Sequence, residues 1–112
     1  MRIRPRPSAS ALSLGAEIYI YHRDGSLYDQ GVATIRDISA CGARITDVTL
    51  PLGTLPVEPF TVGLRPMEKP VDDVEIPGMI VRYHLNGAVS YGVEFQKIDS
   101  ALERKVRRIA AG

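Results

Sequence analysis

Apolar residues in this chain recur at every second position over most of its length, and that period limits the fold before any motif is considered. Ala16, Ile18 and Ile20 fall on one side of an extended segment, with Glu17, Tyr19 and Tyr21 on the other. Successive strand side chains point to opposite faces, so this alternation predicts a half-buried strand from Gly15 onward. His22 to Ser26 then supplies a turn, with Asp24-Gly25 as its hairpin dipeptide. A second strand is predicted over Asp29 to Ile38, a tight turn over Ser39 to Gly42, and a third strand over Ala43 to Val48. Gly42 is expected to give that turn a positive φ, which glycine adopts at no steric cost.

The same grammar continues downstream. Pro51, Gly53, Pro56 and Pro59 punctuate a loop before a short strand at Phe60 to Leu64. Met67 to Glu75 is acidic and contains proline, which predicts a surface loop. Met79 to His84 and Val89 to Gln96 flank Asn86-Gly87, a strong hairpin signal, and Tyr91, Val93 and Phe95 share one face. Only the C-terminal segment changes period. Leu102, Val106, Ile109 and Ala110 follow the i, i+4, i+7, i+8 spacing of an amphipathic helix. Asp99 or Ser100 can cap it, and Ser100 with Glu103 matches a capping box. About six short strands and one terminal helix predict a mainly β chain, a small antiparallel barrel or sandwich.

Size and charge narrow the function classes. A chain of 112 residues with 45% hydrophobic residues builds one core and no second domain. The expected division is an Arg/Pro-rich arm over residues 1–14, extended and poorly ordered, and a folded domain over 15–112. A formal net charge of +1 gives no basic footprint for DNA or RNA, so any anion site is local. Cys41 is the one cysteine, which excludes an intramolecular disulfide and a Cys-based zinc site. It is expected to be a small buried residue of the turn rather than a nucleophile. His22 and His84 sit at strand ends without a third ligand, so no metal site is expected. Ser8 to Leu14 is too short and polar for a signal-peptide core, and there is no apolar run of about 18 residues. A cytoplasmic protein without a membrane span is the expectation.

Two short motifs carry chemistry. Asp37-Ile38-Ser39-Ala40-Cys41-Gly42 reads D-x-S-x-x-G, and Arg2-Ile3-Arg4-Pro5-Arg6 reads R-x-x-x-R. A carboxylate accepts from N–H donors, and a hydroxyl contributes one more polar contact. A guanidinium fork makes two parallel hydrogen bonds, stacks on purine faces and pairs with phosphate, so the two motifs together suit a compact ligand carrying purine edges and phosphates. The simpler readings are a self-capped β-turn for the first motif and a solvated basic tail for the second. Arg82 and Glu94 are expected to form a surface cross-strand pair, and Arg44 to be an exposed strand arginine near the turn.

With these residues in place the chain resembles the PilZ domain, a bacterial receptor module for cyclic di-GMP. The resemblance rests on Asp37-x-Ser39-x-x-Gly42 followed by Ala43-Arg44-Ile45, on Gly78-x-Ile80-Val81-Arg82 with Tyr91-Gly92-Val93-Glu94-Phe95, and on the helix after them. It implies a six-stranded antiparallel barrel with a C-terminal helix, no catalysis and no cofactor. It further implies cyclic di-GMP as ligand, held by Arg2, Arg6, Asp37, Ser39 and Gly42, with Arg4 and Arg44 as further contacts. Pro7 to Leu14 separate the arginine motif from the first strand, a longer gap than the family usually shows. The implied role is a stand-alone receptor and adaptor that relays the ligand to an effector protein. The alternative is a PilZ-like interaction module that no longer binds nucleotide.

Overall fold

The computed structural model describes residues 13–68, 74–86, 88–96 and 98–111. Arg2, Arg4 and Arg6 lie outside these residues, as does most of the acidic stretch between Met67 and Glu75. Six strands form in chain order: β1 (Leu14–His22), β2 (Leu27–Ile38), β3 (Gly42–Thr49), β4 (Phe60–Pro66), β5 (Ile76–Asn86) and β6 (Ala88–Phe95). One helix, α1 (Ser100–Ala111), ends the chain. The strands close into an antiparallel barrel in the order β1-β2-β3-β6-β5-β4, with β4 returning to β1. This is the fold expected from the period-two pattern, with closure deciding between barrel and sandwich.

The alternation becomes the core. Ile18, Ile20, Ile35, Ile45, Leu64 and Ile76 are fully buried inside the barrel. Each such side chain contributes about 1.5–3 kcal/mol by leaving water. Val106 and Ile109 of α1 join the same cluster, and the helix packs beside β2. β5 starts three residues before the predicted strand because Ile76 pairs with Leu64 and Gly78 with Val62, completing the barrel wall.

The helix start differs from the capping box. Asp99 Oδ1 accepts from Leu102 N–H at 2.8 Å, so Asp99 is the cap. Glu103 does not reach back to Ser100; its carboxylate is taken by Arg107 one turn on, at 2.7 Å.

On the outer face of β1, Tyr19 and Tyr21 stack with centroids 6.4 Å apart. Tyr21 donates its hydroxyl to Glu75 Oε2 at 2.5 Å. Burial, then the hydrogen bond and charge of Glu75, push the Tyr21 phenol up to about 12 from 10.0. A raised folded-state value means this group holds its proton more tightly in the folded chain. Its stabilisation is complete below pH 10 and is lost as pH rises toward 12. An absorbance titration should show a tyrosine step near pH 12 that Tyr21→Phe removes; its absence from the parent protein would refute the pairing.

Candidate functional site

The D-x-S-x-x-G motif occupies the end of β2, the connecting turn and the start of β3. Ser39 N–H donates to the Gly42 carbonyl at 2.8 Å, closing the turn. Ser39 Oγ accepts from Cys41 N–H at 3.2 Å, so the hydroxyl also serves its own loop. The Cys41 carbonyl accepts from Phe95 N–H at 2.8 Å, which fastens the turn to β6.

Two expectations about this turn are corrected. Gly42 does not have positive φ; among the described residues the glycines that do are Gly25 and Gly53. Gly42 is needed for close approach instead. A Cβ there would overlap the Val93 carbonyl oxygen and lie 3.5 Å from Glu94 Cα, both backbone atoms of β6. Cys41 is exposed rather than buried, because the turn projects it away from the core.

Counting outward from the turn, Ile38 pairs with Ala43 and Asp37 with Arg44. Arg44 Nε donates to Asp37 Oδ2 at 2.8 Å, so Arg44 is the ion-pair partner of the motif carboxylate rather than a lone exposed arginine. Asp37 Oδ1 is buried and has no hydrogen-bond partner among the described residues. A carboxylate oxygen in that state costs about 1–3 kcal/mol relative to one that accepts a bond, which makes it a strong acceptor for an incoming N–H.

An open cleft of about 350 Å³ runs along the outer face of β3, β6 and β5 beside the turn. Ser39, Gly42 and Arg44 line it from the turn and β3, Glu94 from β6 in the middle, and Arg82 and His84 from β5. Asp37 adjoins this cleft through Arg44 and does not itself line it. Three of the sequence-predicted residues, Ser39, Gly42 and Arg44, therefore converge on one surface depression, with Asp37 next to it. Arg2, Arg4 and Arg6 belong to the undescribed residues.

Sequence reasoning missed the far wall. Arg82 and Glu94 do not form the expected cross-strand pair. Asn86 pairs with Ala88 and the register carries Arg82 opposite Gly92, while an irregularity between Ile80 and Arg82 carries Glu94 opposite Met79. Among the described residues no ion pair joins Arg82 to Glu94. Counting outward from the Asn86–Ala88 pair already sets Arg82 opposite Gly92, so the hairpin carried the signal; the irregularity beyond it decides only the partner of Glu94.

Among the described residues no cluster of His, Cys, Asp or Glu could hold a metal ion, and no helix is long and apolar enough to cross a membrane. No curated protein matches the chain. A family model for the PilZ domain matches residues 4–112, beginning inside the arginine motif, after Arg2, and running through the terminal helix. With the closed six-stranded barrel, the D-x-S-x-x-G turn at its rim and this match across almost the whole sequence, the chain belongs to the PilZ domain family, a family of cyclic di-GMP-binding domains.

Proposed function

We propose that this protein is a cyclic di-GMP receptor, not an enzyme, that relays the ligand by altering its contacts with an effector protein in the cytoplasm. The Asp37 carboxylate carries this reading. Arg44 fixes one of its oxygens, and the other is buried and lacks a donor among the described residues. A guanine edge presents two N–H donors, and one of them would complete the acceptor set of Asp37. Ser39 and Gly42 offer a hydroxyl and an open backbone at the adjoining cleft. Arg2 and Arg6 would clamp the outer side of the ligand with guanidinium planes. Ordering such an arm on binding lowers affinity and changes the protein surface, which is how a receptor of this size can signal.

The experiment is a titration with cyclic di-GMP followed by amide shifts at Ser39 and Gly42 and by calorimetry. Saturable shifts at both residues are expected. Arg6→Ala should weaken binding by about 1.5–3 kcal/mol, the loss of one charged hydrogen bond. Unchanged affinity in that variant would remove the arm from the site.

One observation favours the second reading, an interaction module that does not bind nucleotide. The Ser39 hydroxyl and one Asp37 oxygen are already engaged by Cys41 and Arg44. Unmoved Ser39 and Gly42 signals at high ligand concentration would establish that reading instead.

A further inference from the structure

Four residues form one row across the outer face of the barrel: Asp37 pairs with Arg44, Arg44 with Gly92, and Gly92 with Arg82. Directly paired residues share a face, and adjacent strands lie about 4.8 Å apart, so Arg44 and Arg82 start about 10 Å from each other with a glycine between them. Gly92 makes room for Arg82. A Cβ at Gly92 would lie 2.9 Å from Arg82 Cγ, so the arginine stem crosses over β6 at the one position without a side chain. Both arginines line the same cleft.

Their charges are compensated unequally. Arg44 is paired with Asp37 at 2.8 Å, whereas Arg82 has neither ion pair nor hydrogen bond among the described residues. His84 stands two residues along the same face, opposite Ser90, and also lines the cleft. Glu94 is the acidic residue of the lining, displaced one row toward Gly42.

We infer that Arg82, with His84 as a second donor, is a phosphodiester subsite built into the barrel wall. The guanidinium fork takes two phosphate oxygens, and the ring N–H of His84 can supply one further bond. Glu94 at the other end repels the phosphate and accepts from the N–H edge of a base, so it orients a guanine nucleotide along the cleft. The ligand's identity rests on the receptor reading above; the subsite itself does not, because it follows from the Arg44-Gly92-Arg82 row.

Cyclic di-GMP, guanosine monophosphate and inorganic phosphate are titrated into the full chain, its Arg82→Ala and Arg82→Lys variants, and Asp37→Ala. The readouts are calorimetry, the Arg82 Nε–H signal and thermal unfolding. Arg82→Ala should weaken cyclic di-GMP about tenfold or more without lowering thermal stability, and Arg82→Lys should restore only part of it. If the parent protein binds cyclic di-GMP and Arg82→Ala stays within about twofold, the subsite is overturned while the receptor reading stands. Where Asp37→Ala binds normally and Arg82→Ala does not, the motif platform fails and the subsite stands. If the parent protein ignores cyclic di-GMP, the receptor reading fails. A saturable Arg82 Nε–H shift with either smaller probe then supports the subsite, and a static signal overturns it.

Discussion

Gly42→Ala should destabilise the protein by about 1–3 kcal/mol, the range for forcing an extra carbon into a packed interior. For a domain of this size that corresponds to a fall in Tm of about 4–8 °C for each kcal/mol. The atoms in the way are the Val93 carbonyl and the Glu94 backbone, which cannot rotate aside as a side chain would. Either β3 and β6 separate or the turn shifts, and both break the Phe95-to-Cys41 hydrogen bond that anchors it. Gly25→Ala provides the contrast. At Gly25 a Cβ would meet nothing within 4 Å, and its cost comes from a φ of 91° alone. Thermal unfolding of both variants, with amide shifts at Ser39 and Phe95, checks the argument. A Gly42→Ala protein that melts with the parent and keeps those shifts would show that close approach is not what requires glycine.

Asp37→Ala should separate binding from stability. Its effect on cyclic di-GMP affinity is expected to be a loss of about 1.5–3 kcal/mol, roughly tenfold to more than a hundredfold. The ligand-free protein should melt at the parent temperature or above it. The exposed Arg44 pair contributes only about 0–1 kcal/mol, and removing it costs no more than that. Removing the unpartnered Oδ1 relieves a penalty of about 1–3 kcal/mol. A residue that costs the folded protein while it waits for a donor is better explained by binding than by structure. Calorimetry and thermal unfolding on the same sample give both numbers. A large loss of Tm with unchanged affinity would reverse the assignment and make Asp37 a structural residue of the turn.

The distance between these two predictions follows from how each residue reads in sequence. Asp37 and Gly42 belong to one short motif, yet their physical roles differ. Asp37 acts through its half-buried side chain, and its partner Arg44, expected only as an exposed strand arginine, follows from counting outward from the turn. Gly42 acts through a missing side chain, and the atom it makes room for belongs to a strand about fifty residues later in the chain. The D-x-S-x-x-G motif and the Tyr91–Phe95 segment thus touch in the barrel, where β3 lies against β6.

Cys41 and the helix cap show the same limit on a smaller scale. A lone cysteine between apolar and small residues reads as buried, but the side toward which a turn points its residues depends on the strand it is fastened to. Ser100-x-x-Glu103 matches a capping box by spacing. The chain enters the helix one residue earlier, so Asp99 takes the cap and Glu103 is left for Arg107.

What the amino-acid order determined alone was the period: strands with one apolar face, the turns between them, one amphipathic helix, and hence a small antiparallel barrel or sandwich with a polar turn after β2. Those features depend on neighbours two to four residues apart, which is the range over which a sequence can be read directly. What only the tertiary structure decided was which residues share a row across strands. The β5–β6 register runs unbroken from Asn86–Ala88 to Arg82–Gly92, and the β3–β6 pairing puts that same Gly92 opposite Arg44, while the irregularity beyond Arg82 moves only Glu94, from Ile80 to Met79. Which strand lies on the far side of β6 is set by closure of the whole sheet, so the local hairpin could place Arg82 over Gly92 but not beside the motif turn.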